Sequence, residues 1–73
     1  MSLIQAEMAS IRWKPEKRRW TVTVAVGEEV IKRSPLRKLP HDAADDALRA
    51  CVVETAKDEG FAVLPNEVDV VRG

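Results

Sequence analysis

The segment from Arg12 to Trp20 concentrates side chains that could bind a polyanion. Its sequence, RWKPEKRRW, places four cations and a proline between two tryptophans. Lysine and arginine neutralise phosphates and release their counterions, so the segment could contact a nucleic-acid backbone. The alternative is a hairpin whose aromatic residues fill a small core. The elements that carry these residues decide between the two interpretations.

The charges are sorted along the chain, although the formal net charge is zero. Arg12 to Lys38 contains nine basic and three acidic residues, whereas Leu39 to Gly73 contains three basic and eight acidic residues. This asymmetry predicts one cationic and one anionic surface. The basic face of one molecule could therefore dock on the acidic helix of another.

Length and composition predict a single small domain, residues 1–73. A chain of 73 residues buries only about 60% of its unfolded surface, which leaves room for one thin core. No apolar run reaches the roughly 18 to 20 residues of a membrane span, and Glu7 interrupts any signal-peptide core. We therefore expect a soluble, cytoplasmic protein without a membrane partner. Cys51 and His41 form no recognisable metal spacing, so no metal, cofactor or small-molecule substrate is predicted.

Period-2 alternation predicts three antiparallel strands. The strongest is TVTVAV together with the preceding Arg19 and Trp20, and the others cover residues 9–14 and 29–33. Trp20 and the valines of this strand share one face, which we expect to be the core face. Because Arg33 would also point toward that face, the third strand is expected to end there.

Two turns then set the register of the sheet. Gly27-Glu28 suits a two-residue type II′ turn, and Pro15 suits the second position of a type I turn in a four-residue loop. The predicted cross-strand pairs are Val26–Glu29, Val24–Ile31, Thr23–Lys32, Lys14–Arg19, Trp13–Trp20 and Ile11–Val22. Pairing of the two tryptophans on one face favours the core interpretation for both.

The opposite face is predicted to be basic, with no carboxylate. The hairpin tip adds two further cations beside it. The candidate nucleic-acid-binding residues are Arg12, Lys14, Lys17, Arg18, Arg19, Thr21, Thr23 and Lys32. The hydroxyl of Ser10 is expected on the same face. Like charges directly across a strand pair, as at Lys14 and Arg19, destabilise a sheet, and a phosphate backbone would neutralise them.

A helix is predicted after the irregular connection SPLRKLP. Asp42 is the expected N-cap, Asp45 and Asp46 suit the first turn, Lys57 suits the last turn, and Gly60 ends the helix. The stripe expected to cover the tryptophan face is Ala44, Ala47, Leu48, Cys51, Val52 and Thr55. The residues expected in water are Asp42, Asp45, Asp46, Arg49, Lys57 and Asp58.

The tail after the helix is strand-like in FAVLP and in EVDVVRG. A fourth strand is predicted from Glu67 to Val71, while pairing with another chain and an extended arm stay open as alternatives. The predicted fold class is α+β: a three-stranded antiparallel sheet, four-stranded with this tail, packed on one α-helix in the order β-β-β-α-(β).

The element order over Ser10 to Asp58, with RRWTVTVAVGEEVIKRS followed by AADDALRAC, resembles sheet-plus-helix DNA-binding domains of tyrosine integrases and of a class of plant transcription factors. It also resembles the second half of double-stranded-RNA-binding domains. Those domains begin their second helix with basic residues, whereas this chain has Asp42, Asp45 and Asp46 there, which argues against that version. The resemblance implies nucleic-acid binding and assigns no family.

Catalysis is not expected, because so small a chain has few places to build a concave site. Cys51 lies on the predicted core stripe, and His41 is expected in solvent at the helix start. The sequence therefore predicts a non-enzymatic interaction module that binds another protein or itself as a homodimer. The alternative is nucleic-acid binding through the basic outer face of the sheet.

Overall fold

The computed structural model describes residues 3–72 and contains six strands and one α-helix. In chain order they are β1 (Ile4–Gln5), β2 (Met8–Lys14), β3 (Arg19–Val26), β4 (Glu29–Arg33), α1 (Asp45–Asp58), β5 (Phe61–Ala62) and β6 (Val68–Val71), with a 3-10 turn at Pro65–Glu67 before β6. Strands β2, β3, β4 and β6 form one sheet with α1 packed on it. The predicted α+β class and β-β-β-α order are confirmed.

The main sheet has the order β4-β3-β2-β6. Strands β2, β3 and β4 pair antiparallel in the predicted register, including Trp13 with Trp20 and Val26 with Glu29. The predicted fourth strand is present and starts at Val68, but it pairs parallel to β2. A single helix between β4 and β6 reverses the chain once more, so β6 runs in the same direction as β2 and β4.

Both turns have the predicted chemistry. Gly27 has φ of 59°, and Glu28 is not among the residues with positive φ, which together define a type II′ turn. In the first hairpin the Lys17 amide donates to the Lys14 carbonyl at 3.1 Å, as a type I turn at Pro15 requires. Arg18 follows with φ of 51° and is the one non-glycine residue of 3–72 in the left-handed region.

The core lies between α1 and one face of the sheet. Its largest fully buried side chains are Trp20, Ile11, Leu48, Val22, Val52, Thr55 and Cys51. The core interpretation is thus confirmed for Trp20, which is 1% exposed, while Trp13 is half-buried at the margin. The two rings meet edge to face, with centroids 5.4 Å apart.

Helix α1 starts later than predicted, because Ala44 and not Asp42 is the N-cap and no side chain caps it. The buried stripe is shifted as a result: Ala44 and Ala47 are exposed, and Ala56 is buried. Asp45 and Asp46 occupy the first turn and Lys57 the last, as predicted.

Arg33 and Arg49 are both half-buried, whereas most arginines in proteins are exposed. Strand β4 ends at Arg33, as predicted, and its guanidinium extends to the end of α1, 2.6 Å from Asp58 and 3.0 Å from Glu59. The hydrogen bond that Arg33 donates to the Asp58 carboxylate raises the pKa of Arg33. The prediction that Arg49 stays in water is wrong, since the residue is half-buried and its Nε is buried without a hydrogen-bond partner in the described structure.

The first described residues attach to the segment after the helix. Strand β1 pairs parallel with β5, and the amides of Ile4 and Ala6 donate to the carbonyls of Gly60 and Ala62, both at 3.0 Å. The strand-like FAVLP therefore forms a two-residue strand that holds the N-terminal segment. Within residues 3–72 no helix has the length and apolar character that crossing a bilayer requires.

Candidate interaction surface

The sheet face opposite α1, called here the open face, carries side chains from all four strands. By register they are Met8, Ser10, Arg12 and Lys14 from β2, Arg19, Thr21, Thr23 and Ala25 from β3, Val30 and Lys32 from β4, and Asp69 and Val71 from β6. None of them is buried, whereas the covered face of the same sheet includes six buried residues, Ala9, Ile11, Trp20, Val22, Val24 and Val68. The face has a basic part and an apolar part.

The basic part contains most of the residues predicted from the sequence. This part forms a shallow concavity of about 210 Å³. Its lining residues are Ser10, Arg12, Lys14, Thr21, Thr23, Lys32 and Val71. Arg19 lies directly opposite Lys14, so the predicted like-charge pair is present. Hydroxyl donors and cations thus alternate across one accessible patch.

Among residues 3–72, no carboxylate forms an ion pair with a cation of the open face. The four ion pairs among residues 3–72 join Arg33 to Asp58 and Glu59, Arg37 to Glu54, and Arg72 to Asp45. All of them involve a carboxylate of α1 or of its C-cap residue Glu59. Their positions leave the charge of Arg12, Lys14, Arg19 and Lys32 available to an external partner.

The prediction of an acid-free face is wrong, because β6 contributes one carboxylate. Asp69 lies opposite Ser10 at the β6 edge. The prediction considered three strands, and the register of the fourth places Asp69 and Val71 on the open face. The basic part therefore centres on β2 and β3, and Asp69 lies at its β6 border.

The apolar part of the open face is a row of three residues, Met8, Ala25 and Val30, which are direct neighbours across β2, β3 and β4. Met8 is 65% exposed and Val30 is 58% exposed. The row ends at β4, which is an outer strand of the sheet. It is called the apolar row below.

A second basic region, the basic groove, lies beside the hairpin end of the sheet. It has a volume of about 350 Å³ and is lined by Arg18, Arg19, Trp20, Ser34, Pro35, Leu36, Arg37, Lys38 and Leu39. Arg19 belongs to both regions, whereas Lys17 is exposed at the hairpin tip. Sequence reasoning did not place Arg37 and Lys38 here, because the path of their loop depends on a distant bond from the Leu36 amide to the Thr55 hydroxyl, 3.3 Å long.

His41 and Arg72 form a contact that the sequence analysis missed. His41 is exposed, as predicted, but its ring centroid lies 4.8 Å from that of Trp13 and 6.2 Å from that of Trp20. Its Nε2 donates to the Arg72 carbonyl at 2.8 Å. Trp20 is also engaged, since its indole N–H donates to the Pro40 carbonyl at 3.0 Å. These contacts give His41 and both tryptophans a structural role.

The Arg72 guanidinium holds the end of β6 against the start of α1. It donates to the carbonyls of His41 and Ala43, at 2.9 and 2.7 Å, and to the carboxylate of Asp45. It also lies 5.9 Å from the centre of the Trp20 ring. The hydrogen bond from Arg72 lowers the pKa of Asp45. This set, His41, Asp45 and Arg72, is called the tail clamp.

Comparison with known proteins does not assign a function, which is therefore inferred from the surfaces described above. No protein-family model, curated protein or solved structure matches the chain.

Proposed function

We propose that this chain is a non-enzymatic interaction module that binds another protein or a second copy of itself through the open face and its β4 border. The observation that carries the proposal is the apolar row, which stays exposed beside a polar, cationic surface. Protein interfaces combine an apolar centre with a polar rim, and the open face offers both within one sheet. Exposed apolar side chains grouped in this way are typical of contact sites.

The positions of the reactive side chains support a role without catalysis. Cys51 is buried in the core, where a thiol behaves as a small apolar group. His41 is committed to the tail clamp and to the tryptophan rings. The lining of the concavity on the open face consists of cations, hydroxyls and Val71 and includes no carboxylate, thiol or imidazole. Such a set binds charge and does not supply an acid–base pair.

Sedimentation equilibrium over a concentration range from about 1 μM to about 1 mM tests self-association. The expected result is a mass that rises above the 8.2 kDa of one chain. Val30→Glu should reverse that rise, because it buries an unpaired carboxylate at the contact. Leu64→Glu is the matched control, since Leu64 is equally exposed, at 58%, and lies outside the open face. A constant single-chain mass for the natural chain overturns self-association.

Nucleic acid is the second candidate partner, and one specific observation favours it. The cations of the basic part have no carboxylate within 4.0 Å among residues 3–72, and hydroxyls of Ser10, Thr21 and Thr23 lie between them. Cations supply the counterion-release component of binding, and hydroxyls donate to phosphate oxygens. A curved sheet face of this kind can follow a phosphate backbone.

An NMR titration with a short DNA duplex at low salt tests this second candidate. Amide shifts should concentrate at Arg12, Arg19 and Thr21. Arg12→Ala and Arg19→Ala should each weaken binding to all sequences and lower the salt slope by about 1. Lys57→Ala, on the last turn of α1, removes the same charge away from the sheet and should leave binding nearly unchanged. No shifts at low salt, or undiminished binding by both arginine variants, would remove nucleic acid as a partner.

A further inference from the structure

The two outer strands of the main sheet, β4 and β6, differ in what they offer a partner. The hairpin places Val26 opposite Glu29 across a two-residue turn, which makes them a hydrogen-bonded pair. Pairs alternate along an antiparallel ladder, so Ile31 and Arg33 also bond to β3. The backbone N–H and C=O groups of Val30 and Lys32 therefore point away from the sheet. No backbone hydrogen bond within residues 3–72 occupies them.

We infer that β4 pairs antiparallel with β4 of a second copy of this chain, centred on Ile31, to form one continuous eight-stranded sheet. The inference rests on the proposed self-association and names its geometry. In this register Val30 of one copy lies opposite Lys32 of the other, so the outward N–H and C=O groups of both strands meet as hydrogen-bonded pairs. The contact is isologous and closes as a dimer.

Charge complementarity along β4 favours this register. The strand reads EVIKR. A two-fold axis at Ile31 places Glu29 of each copy opposite Arg33 of the other, an attractive cross-strand pair in which the guanidinium also keeps its contacts with Asp58 and Glu59 of its own chain. On the open face the aliphatic stem of Lys32 covers the exposed Val30 of the partner copy. The pairing thus covers one end of the apolar row in each copy.

Strand β6 offers no such complementarity. It has four residues, and its one charged side chain is Asp69. Two copies paired through β6 would bring together only like charges within the strand. Its end is also held at Arg72 by the tail clamp, which limits the space for another strand.

A cysteine scan along β4 tests the register. In the inferred dimer the two Ile31 residues face each other as a non-hydrogen-bonded pair, with Cα atoms about 4.5 Å apart, within the range of a disulfide. Ile31→Cys should give a covalent dimer on mild oxidation. Lys32→Cys is the control on the same strand. Residue 32 of one copy would lie diagonally across from residue 32 of the other, about 7–8 Å away, so this variant should form little covalent dimer. Cys51 is buried and is not expected to react.

A backbone variant provides the second readout, because Ile31 also packs against the core. Val30→Pro removes an N–H that points outward and leaves every bond to β3 intact. It should raise the dimer dissociation constant by about tenfold or more. Val30→Thr keeps the N–H and the branched side chain, and should retain the dimer. Both are compared with the natural chain by sedimentation equilibrium.

The outcomes separate this inference from the proposed function. A dimer that forms the Ile31→Cys disulfide and is weakened by Val30→Pro supports the inferred geometry. If the natural chain associates but Ile31→Cys forms no disulfide, the β4 geometry is overturned and self-association stands. The same holds if Val30→Pro does not weaken the association. A single-chain mass at all concentrations overturns both.

Discussion

The two faces of one sheet follow different rules in this protein. The face covered by α1 carries Ile11, Trp20, Val22 and Val24, each at most 3% exposed. The open face carries cations, including the like-charge pair Lys14 and Arg19, together with an exposed apolar row. Burial accounts for every large residue of the covered face, whereas Lys14 opposite Arg19 and exposed Val30 contribute nothing to folding. Burial in the core therefore explains the composition of the covered face and does not explain that of the open face.

The largest expected effect lies on the covered face. Trp20→Ala should cost about 3–5 kcal/mol, because it opens a cavity in a full core. It also removes the indole N–H that bonds the Pro40 carbonyl. A domain of this length has only about 4–11 kcal/mol of stability, so the variant should lose a large part of it. Urea unfolding measures the loss.

The control for this comparison is Arg12→Ala on the open face. It should change the free energy of unfolding by no more than about 0.5 kcal/mol. Equal losses for the two variants would contradict the division between the faces, since they would give Arg12 a folding role. Arg12 is exposed and forms no ion pair within residues 3–72.

The hairpin tip gives the next largest effect, and its sign is opposite. Arg18 adopts φ of 51° without being glycine. Arg18→Gly should stabilise the protein by up to about 1 kcal/mol, because glycine adopts this conformation without steric cost. Arg18→Ala is the matched control, since it removes the same charge and keeps the strain. Urea midpoints of the two variants would therefore separate strain from charge, and equal midpoints would exclude strain at this turn.

Features set by residues close together in the sequence can be predicted from it, whereas features set by contacts between distant segments cannot. The hairpin register depends on period-2 alternation and on Pro15 and Gly27, which are local, and it was predicted residue by residue. That register also predicted which cations share the open face. The parallel placement of β6 depends on the path of α1 across the sheet, and Asp69 on the open face is a consequence of it.

The features that were missed depend either on competing local signals or on contacts between distant segments. The N-cap was misplaced because Asp42 and the aspartates at 45 and 46 compete as start signals in the sequence, while the helix begins after Ala44. The tail clamp joins Arg72 to His41, and the basic groove depends on the bond from Leu36 to Thr55. No local pattern marks either contact.

Charge reversal on the open face should again stabilise the protein, by a smaller amount. Lys14→Glu replaces the like-charge pair with Arg19 by an attractive one, worth about 0.2–1 kcal/mol. The effect should shrink in high salt, because both side chains are accessible and therefore screened. Thermal unfolding at low and high salt measures it, with Lys14→Gln to separate loss of repulsion from gain of attraction. Destabilisation by Lys14→Glu would mean that Lys14 has an internal role, and the open face would then resemble the covered one.

The smallest effect concerns the contribution of the tail clamp to the free energy of unfolding, which should decrease at acid pH. The Arg72 hydrogen bond lowers the pKa of Asp45 from its ordinary value of 3.8. A carboxylate whose pKa is lower in the folded state stabilises the protein above its unfolded pKa, and the contribution is lost as pH falls through the folded pKa. Asp45→Asn should therefore be less stable than the natural chain at neutral pH, and the difference should shrink below about pH 4.

Chemical denaturation at a series of pH values, in low salt, measures this difference. Asp46→Asn is the matched control, because it changes the same charge in the same helical turn and has no ion pair within residues 3–72. A pH-independent difference for Asp45→Asn would contradict an ionic role for the clamp. Because Asp45 and Arg72 are both partly accessible, salt should also reduce the difference. The clamp therefore belongs with the open face as a surface on which charge acts weakly, and the stability of the fold rests on the covered face.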